Sequence, residues 1–467
     1  MGRLEAAYAQ LPTFLQHCAA TGFGLYRKWL RFGPGYPVYV RGYREREGMT
    51  AHQWGKWQHR ALTDLLRDAA YHVPYYRDTW TPEQKVSAAS GYLEELPLLP
   101  KGPIRENPTR FLRDGVKPRH VSVFHTSGSS GTPIATYWTV QEIRDSRALR
   151  EVRSANWAGV SFKMPRATFS GRIVVPDSES QGPYHRFNFA ERQVYFSAFH
   201  LGPVTARKYV EALHRHRIQW LTGYAVSFYL LARHIVDQGL EVPPLKAVVT
   251  TSEKLTPEMR QVMEEGYGCK IFEEYSTVEN AIFASECECG GLHVSSDAGV
   301  VEILRSDGTP CDPGEVGEVV ATSFVRRYQP FIRYRLGDMA AWATAPCHCG
   351  RELPLLQEVV GRIEDVVVGP DGRQMVRFHG IFVDQPHLVE GQIVQESLDR
   401  IRVKVVPTAE FSDSDVHDVQ QRIRQRLGDV QVVVECVSEI PRTRAGKFKA
   451  VVSLLSTDLT SQSVSDP

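Results

Sequence analysis

The sequence carries almost no net charge. Its 55 Lys and Arg residues are offset by 54 Asp and Glu residues, leaving +1 with histidine neutral. That balance gives no bulk electrostatic pull toward nucleic acid or an acidic membrane. No uninterrupted apolar run is long enough to span a bilayer. The opening stretch, MGRLEAAYAQLPTFLQHC, places Glu5 among apolar residues and lacks the apolar core of a secretory signal. A cytoplasmic address follows as the default. There is no internal repeat and no low-complexity tract. The eight cysteines are not expected to form a disulfide framework in a long chain without a signal.

With 467 residues, the chain is long enough for two or more domains with a large core. Residues 1–95 read as a mostly helical lead-in. Trp57 to Leu66 has apolar residues at helical spacing, and His72-Val73-Pro74-Tyr75-Tyr76 breaks the helix. From about 120 to 360, short apolar runs alternate with amphipathic helices. Ala247–Thr251, the helix pattern after Pro257, and Lys270–Tyr275 give strand, helix, strand, an α/β layered pattern with parallel pairing. Residues 299–304 and 317–324 read as short strands of a small antiparallel sheet or barrel, joined through Ser306-Asp307-Gly308-Thr309-Pro310. The expected organisation is a large N-terminal domain, 1–361, of layered α/β subdomains plus a small β-barrel-like subdomain. A small, mobile α+β domain follows over 362–455, with a βαβ-like pattern, a helix near 412–427 and a strand near 430–437. The polar residues 456–467 read as a disordered tail.

The sharpest local signal is Thr126-Ser127-Gly128-Ser129-Ser130-Gly131-Thr132-Pro133, after the apolar run Val121–Phe124. Glycines let backbone N–H groups approach phosphate oxygens, and hydroxyls add donors. No Gly-Lys-Ser/Thr ending is present, so this is not a Walker A loop. A flexible Ser/Gly connector is the plainer alternative. The two threonines, the closing proline and the preceding strand favour a fixed loop.

Four further segments follow in order. They are Glu274-Tyr275-Ser276-Thr277-Val278-Glu279, Arg335-Leu336-Gly337-Asp338, Gly361-Arg362-Ile363-Glu364-Asp365 and Pro441-Arg442-Thr443-Arg444-Ala445-Gly446-Lys447. With the glycine-rich loop, they resemble the motif set of the acyl-adenylate-forming superfamily, which includes acyl-CoA synthetases, peptide-synthetase adenylation domains and luciferase. His72-Val73-Pro74-Tyr75-Tyr76 and Phe331-Ile332-Arg333-Tyr334-Arg335 resemble its phenylacetate–CoA ligase-like branch, close to coenzyme F390 synthetases and CapK-type members. Ser276 stands where the family has glycine, and Leu336 where it has threonine.

The resemblance implies activation of a small-molecule acid as its acyl-AMP with ATP and Mg²⁺. Transfer to coenzyme A follows, or transfer to an amine, a carrier protein or a hydroxyl. A non-catalytic nucleotide-binding scaffold is the rival from another class. Thr126, Ser127, Gly128, Ser129, Ser130, Gly131 and Thr132 would cradle phosphates, and Glu279 would hold magnesium. Tyr275, within Glu274–Thr277, would flank adenine, Asp338 would take the ribose diol, and Arg362 would contact ribose or phosphate. Lys447 would bring positive charge to the reacting centre. Ser252 and Glu253 would lie at the nucleotide, and His200, Tyr224 and Ala225 would line the acid pocket, with Phe228 as a further flank. A homodimer and an acyl acceptor protein are left open; neither nucleic acid nor membrane is an expected partner.

Cys287-Glu288-Cys289-Gly290-Gly291-Leu292-His293 and Cys347-His348-Cys349 pair soft ligands across a long loop, the usual form of a tetrahedral structural zinc site. The family branch has a Cys-x₅-His plus Cys-x-Cys pattern, which implies Cys287, His293, Cys347 and Cys349. Cys289 rivals His293 as the fourth ligand. His214-Arg215-His216 reads as a solvated helix face without a role.

Overall fold

The computed structural model describes residues 8, 11–126, 134–170, 175, 181–198, 200–362, 367–370, 374–375, 379–382, 385, 387–442 and 448–455. The chain divides into two compact units. The first holds Met1–Glu302, Val320–Leu336 and Ala343–Gln357; the second holds Ile303–Val319, Gly337–Trp342 and Glu358–Pro467.

The first unit opens with helices α1 (Thr13–Phe32), α2 (Tyr36–Arg46), α3 (Ala51–His72), α4 (Pro74–Thr79), α5 (Pro82–Ser90) and α6 (Lys101–Glu106). A Thr50/Gln53 capping box starts α3, and Trp54, Leu62, Leu65, Leu66 and Ala69 form its buried stripe. The helix stops at His72 because Pro74 forces Val73 into extended backbone, φ −109° and ψ 116°. The same proline then starts α4 at its first position, where no N–H is needed. No helix among the described residues is long and apolar enough to cross a membrane.

Strands β1 (Ser122–His125) and β2 (Ala135–Trp138) form a two-stranded antiparallel sheet that brackets the glycine-rich segment. Next come α7 (Val140–Leu149), continued by a π-helical turn over Arg150–Ala155, and β3 (Arg166–Phe169), β4 (His185–Asn188), β5 (Gln193–Phe196) and α8 (Ala206–Arg215). They are followed by β6 (Trp220–Tyr224), α9 (Ala225–Gln238), β7 (Ala247–Thr251), α10 (Pro257–Tyr267), β8 (Ile271–Ser276), β9 (Phe283–Glu286) and β10 (Leu292–Val294). The sheet order is β10-β9-β8-β7-β6-β3-β5-β4. Pairs β3–β5, β3–β6, β6–β7 and β7–β8 are parallel, and β4 and β9 add antiparallel neighbours. The strand–helix–strand pattern expected over 247–275 is β7-α10-β8, with parallel register Val248↔Ile271.

Helices α8, α9 and α10 cover one face of this sheet. Leu213, Leu221, Phe228, Leu231, Ile235, Val248, Met263, Tyr267 and Ile271 meet there in a single core. Each such fully buried apolar side chain contributes about 1.5–3 kcal/mol. Gly223, at φ +144° near the end of β6, permits the close β3–β6 approach. A Cβ there would stand 2.0 Å from the Phe169 carbonyl oxygen.

Strands β11 (Gly299–Leu304) and β12 (Val316–Ser323) fall where the sequence placed short strands, and β13 (Tyr334–Trp342) and β14 (Leu355–Arg362) add to them. Their order, β11-β12-β13-β14, is open at β11. The second unit also holds β15 (Val367–Val368), β16 (Gln374–Met375), α11 (His379–Phe382), β17 (Leu388–Ser397), β18 (Arg400–Pro407), α12 (Asp413–Leu427), β19 (Gln431–Cys436) and β20 (Val451–Ser453). Its sheet order is β19-β18-β17-β20. The β18-α12-β19 unit is the expected βαβ pattern, with β18 and β19 parallel. Val419, Ile423 and Leu427 of α12 pack on Ile393, Ile401, Val403 and Val432. The expected tail, 456–467, lies outside the described residues.

Candidate active site and candidate metal centre

The carboxyl ends of parallel strands are where an open α/β sheet binds ligands. In the first unit, these ends carry most of the candidates. Tyr224 closes β6, pairing with Thr251 of β7, and Thr251 pairs with Glu274 of β8. Ala225 opens α9, and Ser252 follows β7 in left-handed backbone at φ +72°, an uncommon conformation for a residue with a side chain. Glu253 Oε2 accepts the Val226 N–H at 2.9 Å, so its carboxylate caps α9. His200 follows β5; its Nδ1 lies 2.7 Å from Ser197 Oγ, and its ring stacks on Tyr184 at 5.1 Å. Phe228 does not flank this end. It is fully buried against Phe169 and Tyr267, because its position in α9 points into the core beneath the sheet.

Glu279 stands in the turn between β8 and β9. Asn280, at φ +52°, donates its N–H to Thr277 O at 2.9 Å, and Ala281 N–H donates to Thr277 Oγ1 at 3.3 Å. Ser323 Oγ holds the turn from β12 by donating to Asn280 O at 2.7 Å. Glu279 is 8% exposed, and its Oε1 accepts the Tyr334 hydroxyl at 3.0 Å. Glu274 has a different part. Its buried carboxylate pairs with Arg150 at 2.9 Å and accepts Ser276 Oγ at 3.2 Å, which locks β8 to the turn after α7. Tyr275, the next residue, is half-buried.

Thr126 closes the base of the glycine-rich segment. Its N–H donates to Ile134 O at 3.1 Å, and its Oγ1 accepts the Ile134 N–H at 2.9 Å. Ser127, Gly128, Ser129, Ser130, Gly131 and Thr132 lie outside the described residues, as does Lys447. Asp338 is buried in β13, four residues after Tyr334. Arg362 ends β14.

The metal candidates do converge. Ligand atoms of Cys287, His293, Cys347 and Cys349 all lie within 4.8 Å of one another. Cys287 Sγ is 3.6 Å from Cys347 Sγ, and Cys349 Sγ is 3.2 Å from His293 Nε2. Four ligands at ~2.0–2.3 Å from a tetrahedral zinc stand roughly 3.5–3.8 Å apart, so the set needs only small adjustment. His293 Nδ1 faces Leu353 O at 3.3 Å, which leaves Nε2 turned toward the thiols. Burial holds the imidazole below its ordinary value and therefore neutral. Cys289 is exposed and outside the group, so geometry selects His293. Gly291 is required here, because a Cβ would stand 2.7 Å from Cys347 Sγ. Trp54, Trp157 and Leu353 wall the group.

Two features escaped the sequence reading. His216 is not a solvated residue. Its ring stacks on Phe187 at 4.1 Å, and its Nε2 lies 3.2 Å from His185 Nε2. Burial pushes His185 to about 3 and His216 to about 4, keeping both neutral. Only His214 and Arg215 are exposed as expected. Arg333 takes left-handed backbone at φ +49°. Its guanidinium binds Glu302 at 2.7 Å and the carbonyls of Glu94 and Leu96 at 2.9 and 2.7 Å, bracing the approach to Tyr334. The signal for both Arg333 and Tyr334 was the segment Phe331–Arg335, noted only as a family marker.

The family model of the CapK C-terminal domain matches residues 370–454. Protein CapK of Staphylococcus aureus is 24% identical over 386 residues, covering 79% of this chain and 82% of that protein. A phenylacetate-coenzyme A ligase of Thermus thermophilus is 25% identical over 240 residues; the match covers 45% of this chain and about half, 54%, of the relative. Among solved structures, 2-hydroxyisobutyryl-CoA ligase in the postadenylation state with R3-HIB-AMP shares the fold. Its TM-score is 0.67 at 20% identity, covering 90% of this chain and 93% of that one. The ordered motifs, the layered sheet and these relatives together support an acyl-adenylate-forming ligase of the phenylacetate–CoA ligase-like, CapK-type kind.

Proposed function

We propose that the chain activates a small carboxylic acid with ATP and then transfers the acyl group to coenzyme A. In the first step, a carboxylate oxygen attacks the α-phosphorus, and the bond to pyrophosphate breaks. In the second, the thiol sulfur attacks the acyl carbon, and AMP leaves. The observation that carries this reading is the gathering of Tyr224, Ser252, Glu253 and the Tyr275–Glu279 turn at the carboxyl ends of β6, β7 and β8. Charge builds on phosphoryl oxygens in such a reaction, so positioned donors and cations do most of the work.

Thr126 and the glycine-rich segment would hold the phosphates. Glu279, aimed by Tyr334, would hold Mg²⁺. Tyr275 would flank adenine, Asp338 and Arg362 would take the ribose, and His200, Tyr224 and Ala225 would shape the acid pocket. Lys447, delivered by rotation of a mobile C-terminal domain, would neutralise the reacting oxygens. Cys287, His293, Cys347 and Cys349 would hold a structural zinc, since four protein ligands leave no open position.

Pyrophosphate release over a panel of aromatic and short-chain acids tests the reading; no release with any acid removes it and leaves a nucleotide-binding scaffold. A second reading, transfer to an amine, a carrier protein or a hydroxyl, rests on the resemblance of the sequence motifs to coenzyme F390 synthetases. Product masses with and without coenzyme A separate the two.

A further inference from the structure

Arg326 and Gln329 are polar side chains with 0% exposure, in the segment between β12 and β13. Both reach β2. Arg326 Nη2 donates to Tyr137 O at 2.7 Å and to Gln329 Oε1 at 2.9 Å. The same Oε1 accepts the Tyr137 N–H at 2.8 Å, and Gln329 Nε2 donates to Pro108 O at 3.0 Å. The guanidinium lies 4.2 Å over the Trp138 ring. Glu142, in the first turn of α7, completes the arrangement. Its carboxylate accepts the Thr139 N–H at 2.8 Å and the Tyr328 N–H at 3.0 Å, and stands 3.5 Å from Arg326 Nη1.

β2 follows directly on Ile134, whose backbone is bonded to Thr126, and among the described residues it pairs only with β1. A two-stranded sheet is marginal by itself. Here both backbone groups of Tyr137 are taken by side chains, where a larger sheet would supply a third strand. This solution is costly, since Arg326 Nε and Nη1 are buried without a hydrogen bond. Apolar packing would stabilise the strand at lower cost but would not fix its register. The clamp also sees the acid side of the site. Burial lowers Arg326, while Glu142 and Glu279 pull it back, so the Glu279 carboxylate lies within the field of the same guanidinium. Five residues beyond Gln329, Tyr334 donates to Glu279.

We propose that Arg326 and Gln329 are positioning residues for the nucleotide site: they hold β2, and through Ile134 also Thr126, in fixed register with Glu279. The inference rests on the adenylation reading above. The test is direct binding of magnesium-ATP to the full chain, followed with a fluorescent ATP analogue, beside thermal unfolding. Gln329→Leu keeps volume and removes both hydrogen-bond functions; Arg326→Lys keeps the charge and loses the fork. Each is expected to weaken magnesium-ATP binding about tenfold.

Gln193→Leu is the matched control. It removes the buried partner of Arg166, 2.6 Å away on β5, and is expected to lower the unfolding temperature without changing ATP affinity. Should Gln329→Leu fail to fold, Arg326→Lys carries the test. Unchanged ATP affinity in the folded variants, with only a lower unfolding temperature, would make the clamp structural and overturn the inference alone. No magnesium-ATP binding by the unsubstituted chain would overturn the adenylation reading with it.

Discussion

Tyr334→Phe isolates one hydroxyl at the centre of the site. Tyr334 is 0% exposed, and its hydroxyl donates to Glu279, itself 8% exposed, at 3.0 Å. Phenylalanine keeps the ring that packs on Phe331 at 5.3 Å. What is lost is a donor to a buried carboxylate, worth about 1.5–3 kcal/mol for a hydrogen bond to a charged group. If Glu279 holds magnesium, the loss falls on the oriented carboxylate that the cation needs. The magnesium midpoint of acid-dependent pyrophosphate release should then rise by roughly 10–150-fold. The assay is a magnesium titration at saturating ATP and acid, beside thermal unfolding of the same preparations. A lower unfolding temperature with an unchanged magnesium midpoint would refute the role given to Glu279. No change in either would refute the energetic weight given to the bond.

The metal centre makes a separate prediction: about one zinc per chain after gentle purification, with Cys287→Ser or a strong chelator removing it and lowering the unfolding temperature. Well under one zinc per chain by metal analysis would end that assignment. Lys447→Ala should cut adenylation strongly while sparing thioester formation from pre-made acyl-AMP; equal loss of both half-reactions would contradict the role of Lys447. Asp145 supplies a pH signature. Burial pushes its carboxyl up to about 6, against the pull of the Tyr43 hydroxyl, Arg327 and Arg46, while Asp297 pushes further up. A raised native value means that the stability it contributes is present at low pH and lost as pH rises through about 6. Asp145→Asn keeps an acceptor for Tyr43 and does not titrate, so the unfolding temperature of the unsubstituted chain relative to this variant should fall between pH 4.5 and 7. A flat difference over that range would refute it.

The elements that govern the fold were legible where the signal is local. The Pro74 break, the β7-α10-β8 unit and helix 413–427 follow from proline chemistry and apolar spacing over a few residues. The choice of His293 over Cys289 was not local. It depends on the β10–β14 register, Leu292↔Leu356, which carries His293 toward the loop holding Cys347 and Cys349. Phe228 was misplaced for a related reason. An aromatic residue three positions after the strand end can line a pocket or fill the core, and the rotation of α9 decides. His216 was hidden because its partners, His185 and Phe187, come from a distant strand. Glu274 and Glu279 show the same limit. One motif supplied two buried carboxylates, and only tertiary partners, Arg150 for one and Tyr334 for the other, distinguish an ion pair within the framework from a ligand candidate.

The central claim is that the carboxyl ends of β6, β7 and β8 hold ATP for attack by a carboxylate. Acid-dependent exchange of radiolabelled pyrophosphate into ATP tests it most directly, because exchange requires reversible formation of an acyl-AMP and needs no acyl acceptor. The account expects exchange with at least one acid of a broad panel, dependent on magnesium and strongly reduced by Glu279→Gln. Absence of exchange with every acid, or exchange that persists unchanged in Glu279→Gln, would contradict it.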